Sequence, residues 1–266
     1  MNNKKRGTLF DAVGIILIIL IVFLLTKLTS APKHFSRPVS SDSHLISQTA
    51  LKTQLQDKIG HRKVDLEVYD TKTHQKASYQ NGGHKFWLAS SIKLAILAQL
   101  ITQKGPLGGF LDQQAQLMIE QSDNQAASNL FQQIGGNPGL QSFLDRLHMS
   151  KTHLNPNGFG LSTSTATDQV KLLNYIQKMP PANQNYLFNL CHQIVPDQRF
   201  GLGQTQDTLF KNGWLNNQQN RWYVNSIGII NHRYSVVILT QNNPSFPAGK
   251  KLVNQIATTL VDHHLI

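Results

Sequence analysis

From residue 48 onward the apolar positions fall into patterns that succeed one another along the chain. A helical spacing covers residues 48–59 and stops at Gly60. Val64-Asp65-Leu66-Glu67-Val68-Tyr69 then alternates apolar and polar, which predicts a strand, and 77–79 predicts its hairpin partner across a polar connection; Asn81-Gly82-Gly83 reads as loop. From 90 to 103 the period turns helical again, with Leu94, Ile96, Leu97, Leu100 and Ile101 apolar and Gly105-Pro106 as a stop. Five further helices are predicted at 111–120, 124–134, 138–147, 166–178 and 183–193, each bounded by Gly, Pro, Asn or Asp. Strands return at 207–211, 222–230 and 234–241, and an amphipathic helix at 250–263 closes the chain. This order predicts an α/β (α+β) fold: an antiparallel sheet built from both ends of the chain, flanked by N- and C-terminal helices, with an all-helical subdomain inserted. No internal repeat interrupts it.

The first fifty residues follow a different pattern. Residues 12–25, AVGIILIILIVFLL, are apolar without a polar stripe, and Lys4, Lys5 and Arg6 precede them. Counted from Leu9 to Leu28 the segment is long enough to span about 30 Å of hydrocarbon. The nearest cleavage-like triplet, Thr29-Ser30-Ala31, matches small-x-small poorly, so an uncleaved anchor is favoured over a removed signal peptide. The basic cluster then stays cytoplasmic and the rest of the chain lies outside. The division expected is an N-terminal anchor at 1–30, a Ser- and Pro-rich spacer at 31–47, and one catalytic domain at 48–266. The location expected is the cell membrane, single-pass with an extracellular domain, or secreted if the segment is cut.

Composition narrows the function. Over 266 residues, 25 Lys and Arg face 14 Asp and Glu, a net +11; beyond residue 50, 19 basic residues face 12 acidic ones, a net +7. Outside a membrane this favours an anionic cell-wall polymer, not nucleic acid, although a basic solvated surface with no partner accounts for it equally well. The single cysteine, Cys191, excludes an intramolecular disulfide and a multi-cysteine zinc site, and is expected to pack as a small apolar residue. The histidines show no metal-ligand spacing, so no metal site is expected.

Three short motifs carry candidate chemistry. Ser90-Ser91-Ile92-Lys93 places a hydroxyl and an amine three positions apart at a helix entry, on one face of the first turn. A serine attacks only when a base takes its proton, and a lysine serves as that base only if burial or nearby positive charge lowers its pKa. Alone, the pair equally describes a capping serine followed by a surface lysine. Ser122-Asp123-Asn124 alone describes a helix cap, and Lys211-Asn212-Gly213-Trp214 alone describes an Asn-Gly turn.

In this order and context the three motifs resemble the Ser-x-x-Lys, Ser-Asp-Asn and Lys-Thr/Ser-Gly set of class A β-lactamases and penicillin-binding proteins. The segments 118–135, MIEQSDNQAASNLFQQIG, and 161–173, LSTSTATDQVKLL, and the paired strands at 222–240 look similar to that superfamily as well. The resemblance implies that Ser90 is the acylated nucleophile and Lys93 its base. It makes Ser122 a proton relay to the leaving nitrogen and Asn124 a ligand of the substrate's amide side chain. Lys211 adds positive charge near the substrate carboxylate, and the backbone N–H groups of Ser90 and Trp214 form an oxyanion hole that Gly213 leaves open. The ligands implied are a β-lactam or a peptidoglycan stem peptide, with residues 9–28 in the cytoplasmic membrane and no metal or organic cofactor needed.

The sequence also departs from that pattern. The stretch 151–160, KTHLNPNGFG, corresponds to the loop that carries a deacylating glutamate in class A enzymes, and it is short and has no acidic residue. A positioned base contributes about 10²–10⁴-fold, so an acyl-enzyme is expected to form and to clear slowly. His153 is the one candidate replacement, against the plainer reading of a solvated histidine. Asn212 replaces the hydroxyl residue of the third motif, where its amide is expected to bind the substrate carboxylate. Ile227 stands where many class A enzymes have an arginine, with Arg221 as a stand-in. Three functions remain: a β-lactamase-like hydrolase, a D,D-peptidase or transpeptidase of the penicillin-binding type, and a non-hydrolytic envelope-binding protein with the same fold.

Overall fold

The computed structural model describes residues 48–83, 85–262 and 266, all within one unit, Asp42–Ile266. The anchor and spacer expected at 1–47, and His263 at the end of the last predicted helix, lie outside the described residues. No described helix is long and apolar enough to cross a membrane.

The chain runs α1 (Gln48–Ile59), β1 (Lys63–Asp70), β2 (Lys76–Gln80), β3 (Phe86–Trp87), α2 (Lys93–Lys104), α3 (Gly109–Glu120), α4 (Asn124–Gln133) and α5 (Gly136–Arg146). It continues through β4 (Thr163–Ser164), α6 (Ala166–Ile176), α7 (Pro181–His192), β5 (Thr208–Asn216), β6 (Trp222–Ile230), β7 (Tyr234–Gln241) and α8 (Phe246–Asp262). Five strands form an antiparallel sheet in the order β2-β1-β7-β6-β5, so the expected joining of the two chain ends is found. The joint is β1 against β7, paired from Lys63↔Gln241 to Asp70↔Tyr234.

Strand alternation gives this sheet two faces with different duties. On one, Val224 of β6 lies so close to α8 that a Cβ on Gly249 would stand 2.4 Å from its Cγ2. On the other, Ser235 of β7 donates to Asn174 of α6 at 2.8 Å and accepts from Gln177 at 2.8 Å. The polar residues of β1 also point into protein. Asp65 and Glu67 are nearly buried, and they take the Ala166 N–H (2.8 Å) and the Thr167 hydroxyl (2.6 Å) at the start of α6. Acceptors there satisfy donors that a helix end leaves unpaired.

Between the halves of the sheet sits the helical insert. Its central helix, α2, is buried at every position from Lys93 to Ile101, which fits an apolar pattern that wraps around the helix. Several boundaries shift from the sequence reading. The helix predicted at 90–103 opens with a 3₁₀ turn, Ala89–Ile92. The strand predicted to end at 211 runs to Asn216, so Asn212-Gly213 lies inside a strand and not in a turn. Helix α8 starts at Phe246, a turn earlier than predicted, with a proline in its first turn where a missing N–H costs nothing. The two-residue pair β3–β4 is too short to show a period in the sequence.

Candidate active site

The short strand β3 delivers the chain to the 3₁₀ turn that carries Ser90, a half-buried residue. Just before it, Ala89 adopts φ 49°, a left-handed conformation that costs a non-glycine residue about 1–3 kcal/mol and persists only where its surroundings enforce it. The enforcement converges on Leu88. Its N–H donates to the Ser162 carbonyl at 2.9 Å, and its carbonyl accepts from Ser91 N (3.1 Å), Ser91 Oγ (2.6 Å) and Asn225 Nδ2 (3.2 Å). Strand β5 passes directly alongside. A Cβ on Gly213 would stand 2.5 Å from Leu88 O, 2.6 Å from Ser91 N and 2.9 Å from Ser90 N, so only glycine lets the two backbones meet.

One turn beyond Ser90, Lys93 is fully buried. Its Nζ donates to the Ser122 carbonyl (2.6 Å) and to Asn124 Oδ1 (2.8 Å), and lies 3.3 Å from Ser122 Oγ. Ser122 is itself left-handed, at φ 59°, which turns its carbonyl to the lysine. Asp123 caps α4 by accepting the Ala126 N–H at 2.7 Å. Burial lowers the Lys93 pKa to about 8, with the Asp123 charge opposing that shift. Among the described residues Ser90 Oγ makes no side-chain hydrogen bond, so the backbone places its Cβ and no partner fixes its χ1.

Lys211 reaches the same place from β5. It is fully buried, and its Nζ has no hydrogen-bond partner among the described residues. Burial, and then the like charge on Lys93, lower its pKa to about 7. The two lysines thus share one interior region, and among the described residues neither forms a salt bridge. Lys211 and Gly213 share a face of β5, and alternation sends Asn212 and Trp214 to the opposite one. Asn212 spends both amide hydrogens on backbone carbonyls, those of Gln198 and Phe200, each at 2.8 Å. The expected hydrogen bond from its amide to a substrate carboxylate therefore conflicts with where strand geometry places it. Trp214 packs its ring against Phe200 and Phe246, which leaves its backbone as the part that can serve the site.

The loop at 151–162 borders the Ser90 turn on another side. Asp168 anchors its base, accepting from Lys151 N (2.7 Å) and Thr152 Oγ1 (3.0 Å). Asn155 N donates to Ser162 Oγ at 3.1 Å, and Phe159 packs on Phe131 with ring centroids 5.5 Å apart. His153 is exposed, its backbone paired with Thr163. The chain has only two glutamates, Glu67 on β1 and Glu120 at the end of α3, and neither belongs to this loop. Ile227 is fully buried in β6, and Arg221 is exposed on the β5–β6 hairpin. No group of three or more His, Cys, Asp or Glu among the described residues has metal-binding geometry.

The sequence reading brought out Ser90, Lys93, Ser122, Asn124 and Lys211, but not the residues that hold the nucleophile turn. Ser91, Ser162 and Asn225 carry no motif. Asn225 becomes visible only through the strand register that sets it opposite Gly213.

The model of the β-lactamase enzyme family matches residues 110–264. Among solved structures, the TLA-3 extended-spectrum β-lactamase superposes with a TM-score of 0.70 at 16% identity, covering 83% of this chain and 100% of that one. A class A β-lactamase from Bacteroides cellulosilyticus DSM 14838 gives 0.66 at 16% identity over 82% and 96% of the two chains. A β-lactamase from Streptosporangium roseum gives 0.64 at 16% identity over 81% and 97%. A search of curated proteins finds no match. The family model alone spans more than half of the chain, and the protein belongs to the β-lactamase enzyme family.

Proposed function

We propose that the protein is an active-site serine acyltransferase or hydrolase whose nucleophile is Ser90 and whose acyl donors are β-lactams or related D-Ala-D-Ala amides. In this reading the neutral form of Lys93 takes the Ser90 proton as Oγ attacks the carbonyl carbon. The backbone N–H groups of Ser90 and Trp214 receive the negative charge that develops on the carbonyl oxygen. Ser122 passes the proton from Lys93 to the leaving nitrogen, Asn124 holds the amide side chain, and Lys211 supplies the positive charge. The observation that carries the reading is the convergence of Lys93, Ser122 and Asn124 in one hydrogen-bonded cluster, with Gly213 bringing β5 against the Ser90 turn.

A pKa of about 8 leaves roughly a tenth of Lys93 neutral at pH 7, and general bases work best with a pKa near the operating pH. The loop at 151–160 favours the penicillin-binding form of this reading, in which the acyl group leaves slowly or passes to an amine, because the loop offers no carboxylate to activate water. Labelling with a fluorescent penicillin tests the proposal: wild type takes up one equivalent and Ser90→Ala takes up none. Equal labelling of both would refute the assignment. The membrane anchor at 9–28 and a cell-wall polymer partner belong to the same proposal; the apolar run with Lys4, Lys5 and Arg6 before it supports the first, and the net +7 beyond residue 50 supports the second.

A further inference from the structure

We propose that Asn225 is a positioning residue for the nucleophile, holding the strained turn that aims Ser90. The inference rests on Ser90 being the nucleophile. Because Ser90 Oγ has no side-chain partner to direct it, the Trp87 and Leu88 peptide groups fix where its Cα–Cβ bond stands, and Oγ turns only among the staggered rotamers about that bond. Asn225 fastens both peptide groups. Its Nδ2 donates to Trp87 O at 2.8 Å and to Leu88 O at 3.2 Å, while its Oδ1 accepts the Thr240 N–H of β7 at 3.1 Å.

The chemistry of these three partners selects the residue type. Two carbonyls require two hydrogens from one atom, and an amide N–H requires an oxygen beside it, a set that a carboxamide satisfies and a carboxylate does not. The side chain is fully buried, so each lost bond would leave an unpaired polar group away from water. Thr240 is pinned in turn, its hydroxyl donating to Val224 O at 2.6 Å. Asn225 thus ties the rigid centre of the sheet to the turn, at the position where Gly213 opens the gap it reaches across.

The test uses the full chain with a chromogenic cephalosporin and separates the limiting acylation rate from the affinity of the complex that precedes it. A 1 Å misplacement of reacting groups costs about 10²-fold. For Asn225→Ala, the limiting rate is expected to fall about 10–100-fold with affinity within about two-fold, and amide exchange over residues 86–93 is expected to quicken while the rest of the sheet stays protected. Asn225→Asp, which sets a carboxylate against two carbonyls, falls further. Ser91→Ala removes the other side-chain donor to Leu88 O and moves the rate in the same direction, which keeps the test available if position 225 tolerates no change. Wild-type limiting rates in Asn225→Ala and Ser91→Ala overturn the inference alone. A folded wild type that is never acylated overturns the nucleophile assignment, and this inference with it.

Discussion

Two walls around Ser90 differ in how completely they are equipped. On the wall made by the Ser90 turn, α2, the start of α4 and strand β5, most polar groups are engaged. Lys93 holds Ser122 and Asn124, and Leu88 is fastened by Ser91, Ser162 and Asn225. The facing loop at 151–162 is just as well anchored, through Asp168 and Ser162, yet it presents an exposed histidine and asparagines and no acid. Both walls are ordered by hydrogen bonds, but one carries two buried lysines and the other an exposed histidine and no carboxylate. Formation and release of an acyl group are separable reactions, and the proposed function assigns this chain the first.

The largest expected effect that would break this contrast is at Lys93. Lys93→Ala should slow acylation about 10²–10⁴-fold. In wild type the rate should climb as pH rises through the neighbourhood of 7–8 and then level, because the neutral amine is the active form. A flat profile from pH 6 to 10 would remove the lysine from its role. Next comes Lys211→Met, expected to slow acylation at least about ten-fold while stabilising the fold by about 1–4 kcal/mol, since a buried ammonium without a partner is replaced by apolar volume. Its folded pKa lies below the unfolded one, near 10.4. The penalty it imposes is therefore full below about pH 7 and fades as pH rises toward 10.4, and the stabilisation measured by denaturant titration should shrink along that interval. Loss of its charge also lets Lys93 hold a proton more tightly, which moves the acylation limb to higher pH.

Two smaller effects sharpen the contrast. His153→Ala should leave acylation and release within about two-fold of wild type, because the ring is exposed; a ten-fold loss of release alone would give the loop a base after all. At the far end of the sheet, Arg233 grips Asp70 through two bonds, 2.9 and 2.6 Å, and holds that carboxyl well below the usual range. The stability from this pair is present above about pH 4 and is lost as pH falls further. Arg233→Leu should therefore lower the melting temperature at pH 7, narrow its difference from wild type at pH 2–3, and leave the acylation rate unchanged.

The sequence made the outline of this arrangement legible because long periodic segments and motif residues carry their own signals. The five-stranded sheet and the inserted helices follow from period and order, and Ser90, Lys93, Ser122, Asn124 and Lys211 from the resemblance of three motifs to a known family. What stayed hidden depends on register. That Asn212 turns to the carbonyls of Gln198 and Phe200 and not to the side of Lys211 and Gly213 is a consequence of the strand continuing through the Lys-Asn-Gly motif to Asn216, where the residues alone equally described a turn. Asn225 draws its meaning from partners 138 and 137 positions away, which no local pattern encodes. Asp65 and Glu67 of β1 accept from the Ala166 N–H and the Thr167 hydroxyl at the start of α6, across 101 and 100 positions that no local pattern spans.

Intact-protein mass measured over time after one equivalent of a penicillin tests the central claim most directly. The account predicts a single adduct on Ser90 that forms within minutes and then persists for many times its formation half-life, with external hydroxylamine hastening its release. Rapid return to the unmodified mass together with catalytic loss of excess penicillin would contradict it, because release would then proceed without the carboxylate that residues 151–160 lack.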